Sequence, residues 1–172
     1  TPASFRKIAN FTGISPNSVE RYSDHLSDAY MIFFVKRFSY SLKEQEVNPR
    51  KVYAIDQGLR NTVSFKFSED LGKLYENTVF LKLYKADGDV YYYNGKNECD
   101  FLVMRGEEVT QAIQVCYSLT EQNRKREVAG LLEAMDEFGL SEGVIITDDL
   151  EDVEMHEGKK VRFVGLWKWL LN

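Results

Sequence analysis

Glu98-Cys99-Asp100-Phe101-Leu102-Val103-Met104, then Gln111-Ala112-Ile113-Gln114-Val115-Cys116-Tyr117 one turn later, decide the fold. Asn94-Gly95 ahead of the first run is a strong hairpin signal. Arg105-Gly106-Glu107-Glu108 supplies a second turn, so Val90–Tyr93 and the two runs read as three consecutive antiparallel strands. Period-2 alternation puts Glu98, Asp100, Leu102 and Met104 on one face, with Cys99, Phe101 and Val103 on the other. In the next strand Ala112, Gln114 and Cys116 share a face, opposite Ile113, Val115 and Tyr117. An aspartate entering one strand beside a polar-x-polar pair on its neighbour is the pattern that gathers ligands around a divalent metal such as Mg²⁺. The same alternation sets Cys99 and Cys116 on opposite faces, which forbids a disulfide.

Working outward, Leu71–Ala86 reads as a helix closed by Asp87-Gly88, with Leu71, Leu74, Tyr75, Thr78, Val79, Lys82 and Leu83 approximating one side. Glu121–Phe138 is a second helix, bounded by Gly139. Gly143–Thr147 is wholly apolar and belongs inside a sheet. Val153–Met155 and Val161–Val164 are short strands around a solvated acidic loop at Asp148–Asp152, and Leu166–Leu171 closes the chain as a helix. The α-β-β-β-α-β order predicts a mixed sheet with helices on both faces, an α/β (α+β) architecture over residues 65–172.

Residues 1–64 have a different pattern. Ser4 and Ser15 cap two helices separated by Gly13, with Pro16 at a first helical position. Val19, Tyr22, Leu26, Ala29, Tyr30 and Phe33 form the expected core face. Met31–Tyr40 and Lys51–Ile55 are β-rich around the polar run Lys43–Arg50, which completes a winged helix-turn-helix. The outward face of its second helix, Asn17, Glu20, Arg21, Asp24 and Asp28, offers three carboxylates against one arginine, and a phosphate backbone requires the reverse. Arg21, Lys36 and Arg37 are the candidate nucleic-acid contacts.

The 172 residues, 44% of them hydrophobic, carry a net charge of −5. That excludes disorder and disfavours generic polyanion binding. Nine Lys/Arg against six Asp/Glu make residues 1–64 basic, so the acidity belongs to the remainder. Two cysteines and two histidines complete no familiar zinc pattern, and buried thiols fit a reducing cytoplasm. No apolar run spans a membrane. No G-x-x-x-x-G-K-S/T loop exists to hold ATP. The start at Thr1-Pro2 is expected of a processed chain or, more readily, of a piece of a longer protein.

Gly72-Lys73-Leu74-Tyr75-Glu76-Asn77, followed by Glu98-Cys99-Asp100-Phe101 and Gln114-Val115-Cys116, resembles the PD-(D/E)XK, restriction-endonuclease-like fold. Together with Lys51-Val-Tyr-Ala-Ile-Asp56-Gln-Gly58-Leu59, it looks more narrowly like the C-terminal region of a prokaryotic family of AAA-type ATPases. There, a P-loop domain is followed by a winged helix and a nuclease-like domain. The resemblance implies that Asp100 is the metal-binding aspartate and Glu76 the helix carboxylate beside it, with Glu98 a further candidate ligand. Gln114 stands where the family has an acid and Cys116 where it has lysine. A neutral amide is a weaker Mg²⁺ ligand, and a thiol supplies no ammonium to a transition state. The implied catalytic set Asp100, Glu76, Gln114 and Cys116 is therefore degenerate: Mg²⁺ at most weakly held, ATP bound only through an N-terminal domain, and a regulatory role toward that ATPase domain, DNA or another protein, with no membrane. Two alternatives stay open. One is a metal-dependent nuclease in which Gln114 is tolerated; the other is a winged-helix DNA-binding regulator.

Overall fold

Two serines start the first helices. In the computed structural model, which describes residues 2–58 and 71–171, the Ser4 hydroxyl accepts from Lys7 N at 3.3 Å and opens α1 (Phe5–Thr12). Gly13, at φ 74°, ends it in the left-handed region that glycine tolerates. Ser15 accepts from Ser18 N at 3.1 Å, and Pro16 takes the first position of α2 (Pro16–Asp28). After a turn at Tyr30, β1 (Ile32–Arg37) pairs antiparallel with β2 (Lys51–Ala54), Ile32 opposite Ala54.

The polar run between these strands is not a plain loop. It contains α3 (Leu42–Val47), which Ser41 starts by accepting from Glu44 N. The core face of α2 also differs from expectation. Val19 and Ser23 are buried, whereas Tyr22, Leu26 and Tyr30 are exposed. A two-stranded sheet is too small to cover a wide helix face, so α2 turns its narrow side, with a small serine in it, toward Ala9, Phe33 and Val35.

The chain divides into two compact units, Thr1–Phe65 and Lys66–Asn172. The expected boundary at 64/65, and Leu59 of the junction stretch, lie outside the described residues.

The second unit is a mixed α/β layer structure. α4 (Leu71–Lys85) precedes β3 (Asp89–Asn94), β4 (Glu98–Arg105) and β5 (Glu108–Val115). Next come α5 (Glu121–Glu137), β6 (Glu142–Thr147), β7 (Asp152–His156), β8 (Lys159–Gly165) and α6 (Leu166–Leu171). The strand order is β3-β4-β5-β6-β8-β7. β3/β4, β4/β5 and β7/β8 are antiparallel, while β5/β6 and β6/β8 are parallel. The apolar strand β6 is internal as its composition requires, with Ile145 and Ile146 fully buried. β5 begins earlier and ends sooner than the sequence suggests, so Cys116 and Tyr117 lie just past it. α4 buries Asn77, Val79, Phe80 and Leu83, and leaves Leu71 exposed. Among the described residues no helix is long and apolar enough to cross a membrane.

α5 fixes the layer. Thr120 and Asn123 form a reciprocal capping box at its start. Gly130 lets the helix rest on β4, since a Cβ there would fall on the Glu98 carbonyl oxygen. One turn on, the Glu133 carboxylate accepts from Lys96 N (2.7 Å), Asn97 N (2.9 Å), Asn97 Nδ2 (2.8 Å) and the Tyr93 hydroxyl (3.2 Å), clamping the β3–β4 turn. Burial pushes this carboxyl up, but the Asn97, Lys96 and Tyr93 bonds together hold it below its ordinary 4.5.

Glu133→Gln is expected to lower unfolding stability by about 1–2 kcal/mol at pH 7. Because the native carboxyl titrates below 4.5, the wild-type advantage is complete above that pH. It disappears as pH falls through the lowered native value. Urea unfolding of both proteins across that range checks the convergence.

Candidate functional site

The register Leu102↔Ala112 places Asp100 and Gln114 opposite one another on the sheet face that α5 covers. Both are buried, as is Glu127 of α5. Asp100 N donates to Gln114 Oε1 at 3.0 Å, and Gln114 Nε2 donates to Glu127 Oε2 at 2.6 Å. The other Glu127 oxygen accepts from Arg126 Nε at 3.1 Å and Nη2 at 2.5 Å. Asp100 Oδ2 accepts from Val115 N at 2.9 Å. A continuous chain of bonds thus runs from β4 through β5 to α5 and ends on an arginine at the surface.

Cys116 lies at the same end of the sheet. Its backbone N–H donates to Ile146 O, its thiol donates to Ser118 O at 3.4 Å, and Asn123 Nδ2 lies 3.7 Å from the sulfur. Burial first, then the negative charge of Glu127, push the thiol up to about 11; the Arg126 guanidinium opposes them, and Asp100 adds a smaller upward push. It is therefore a protonated thiol at neutral pH, neither a nucleophile nor a replacement for an ammonium. Cys99 is buried and forms no disulfide, its thiol donating to Ile113 O at 3.4 Å.

The other expected ligands are placed differently. Glu76 is half-buried on α4, next to the fully buried Asn77, and Glu98 opens β4 opposite Asn94. The neighbouring Tyr75 is tied elsewhere. Its hydroxyl donates to Asp148 at 2.5 Å, and burial, with that carboxylate, raises it to about 12. Among the described residues no three His, Cys, Asp or Glu side chains come together so as to hold a metal ion, so Asp100, Glu76 and Glu98 do not assemble as a cation site. The donor set agrees. Asp100 accepts a main-chain N–H, position 114 is a neutral amide, and the carboxylate nearest them is matched by a guanidinium.

Glu127 and Arg126 are the members that motif reading missed. Their signal is a carboxylate at the head of the buried stripe Glu127, Leu131, Ala134 and Met135, where a charge needs a partner.

In the first unit, Lys36 Nζ lies 2.5 Å from Glu46, which also holds Arg50 at 2.6 Å. The Lys36 hydrogen bond holds the Glu46 carboxyl below its usual range. Arg50 in turn lies over the rings of Phe5 and Phe34. Arg21 stacks by its neighbour Tyr22, 5.6 Å from the ring centroid, and Arg37 closes β1 half-buried. Of the three candidate phosphate contacts, Lys36 is already matched by an acid.

Comparison with known proteins matches residues 1–70 to a domain of unknown function, DUF8612, and residues 71–169 to a second, DUF4143. An uncharacterized protein of Methanocaldococcus jannaschii is 35% identical over 98% of this chain, which spans 41% of that relative. An uncharacterized protein of Haemophilus influenzae is 24% identical over 89% of the chain and 37% of the relative. The chain thus spans about two fifths of the length of these curated relatives. No solved structure matches.

Gln114→Glu is expected to cost about 1–3 kcal/mol at pH 7, because it replaces the donor to Glu127 with a second carboxylate between Glu127 and Asp100. Burial and like charge raise the new group's native pKa above its unfolded value, so the deficit shrinks as pH is lowered and the group takes up a proton. Thermal melts from pH 8 to pH 5 measure it; a deficit that does not shrink contradicts the bonding pattern.

Proposed function

The chain belongs to the DUF4143 family of domains of unknown function, and we propose that it is a non-catalytic accessory region of an AAA-type ATPase. In this reading its second unit keeps a restriction-endonuclease-like scaffold, and its first is a winged helix that docks or relays. ATP is held by a P-loop domain outside this sequence. The second unit binds a partner rather than cutting one, in a cytoplasmic setting.

The observation that carries the reading is the relay Val115 N–Asp100–Gln114–Glu127–Arg126. A metal-dependent nuclease needs carboxylate oxygens turned toward an open cation position and a nearby cation to offset developing charge. Here the amide of Gln114 occupies the space between the two acids, donating to one and accepting beneath the other. The arginine is spent on Glu127, and Cys116 stays neutral. Those groups are engaged in tying a helix to a sheet. The acidic net charge and the Lys36–Glu46–Arg50 pairing also favour a protein partner over a nucleic acid.

Incubation with plasmid and oligonucleotide in millimolar Mg²⁺ or Mn²⁺ is expected to give no cleavage above that of Asp100→Ala. That variant should instead lose about 1–3 kcal/mol of stability, since it leaves the half-buried Val115 N–H without its side-chain acceptor. Metal-dependent cleavage by the wild type that disappears in folded Asp100→Ala would overturn the reading. A phosphate-binding loop encoded upstream of Thr1 is the corresponding expectation for the ATPase context.

A further inference from the structure

β7 is the terminal strand of its sheet, and among the described residues nothing pairs with its outer side. The two-residue turn Glu157-Gly158, at φ 49° and 85°, closes the β7–β8 hairpin on the pair His156↔Lys159. In such a hairpin that closing pair exchanges ladder bonds, so alternate residues turn their backbone groups the other way. Those residues are Met155 and Val153. The Val153 N–H confirms the direction: it donates at 2.8 Å to the side chain of Asp152 rather than to β8. Val153 and Met155 are also 52% and 65% exposed, an apolar pair on a bare edge.

The opposite face of β7 borders a trough. Val128, Ala129 and Leu132 of α5 line it with apolar surface, alongside Glu121, Lys125, Glu154 and His156. Arg124 is bound there by Glu154 and, at 3.5 Å, by Asp152. His156 Nε2 lies 2.7 Å from Glu154. Around this edge the sequence Asp148–Glu157 carries six carboxylates and no Lys or Arg.

We propose that the β7 edge is a docking site for an extended basic peptide segment, which adds to the sheet as a further strand with Lys or Arg alternating with apolar residues. Main-chain groups of Val153 and Met155 supply the ladder, and the peptide's carbonyl displaces the Asp152 side chain from Val153 N–H. Residues that fall opposite Val153 and Met155 are apolar. Residues on the other face lie opposite Asp152 and Glu154, where a long basic side chain lays its methylenes over Val128 and Leu132 and brings its charge to Glu121 or Glu154. A second copy of the chain is the poorer occupant, because β7 paired with itself about Glu154 sets acid against acid. The site names a partner class for the binding role proposed above but uses different atoms. Cleavage activity would overturn that role and leave this site standing.

The test is fluorescence anisotropy with a labelled eight-residue alternating Lys-Val peptide, with the Glu-Val peptide as control. Saturable binding of the first and not the second is expected, with slowed amide exchange at Val153 and Met155. Met155→Pro, which removes an outward N–H, should weaken binding about tenfold or more. Glu121→Lys, at an exposed helix position that leaves the strand intact, should weaken it about threefold or more through the charge alone. The proposal fails if the Lys-Val peptide does not bind at millimolar concentration, if the Glu-Val peptide binds equally, if Glu121→Lys binds as the wild type does, or if the protected amides lie away from β7.

Discussion

The side-chain amide of Gln114 is the joint on which the second unit depends. It is a donor at one end and an acceptor at the other, so it satisfies a main-chain N–H of β4 and a carboxylate of α5 at once. A carboxylate at this position could do only the first, and an apolar residue neither. Burying Glu127 without that donor and the Arg126 guanidinium would be strongly unfavourable, because an unpaired charge loses its hydration and gains nothing in return. The bonds therefore select one arrangement of α5 over β4 and β5, which Gly130 permits by bringing the helix onto the Glu98 carbonyl.

α5 has three tasks on three parts of its surface. Glu127 reaches into the sheet, Glu133 holds the β3–β4 turn, and Val128 with Leu132 lines the trough beside β7. The first two are polar contacts inside a mostly apolar interface, and they specify register more than they add stability. The third leaves apolar surface next to open main-chain groups, which is how a sheet edge becomes a recognition surface.

Much of this was legible in the residues. The strands β3, β4 and β5 followed from Asn94-Gly95, Gly106 and strict alternation, and β6 followed from its unbroken apolar run. Alternation also set Asp100 and Gln114 on one face, because a one-residue slip would have moved buried Phe101 and Ile113 into their place. What could not be read was the partner from α5. Glu127 is 13 residues from Gln114 in sequence, and only the helix's docking angle brings them together. The same limit applies to α2. Helical spacing identifies a stripe that includes Tyr22 and Leu26, but the size of the neighbouring sheet decides how much of it is covered, and here Ser23 is buried instead. The helix α3 was hidden in a polar run because its stability comes from Ser41 capping and Glu44 rather than from an apolar face.

Whether acids that resemble a metal site are in fact spent on one another is the central claim, and paramagnetic relaxation by Mn²⁺ tests it most directly. In an amide NMR spectrum of the chain titrated with Mn²⁺, the resonances of Asp100, Val115 and Glu127 should broaden no more than those of other buried residues. Selective loss of those three signals at low metal, reversed by chelator, would mean that a cation enters between the two carboxylates and that the relay is not the resting arrangement.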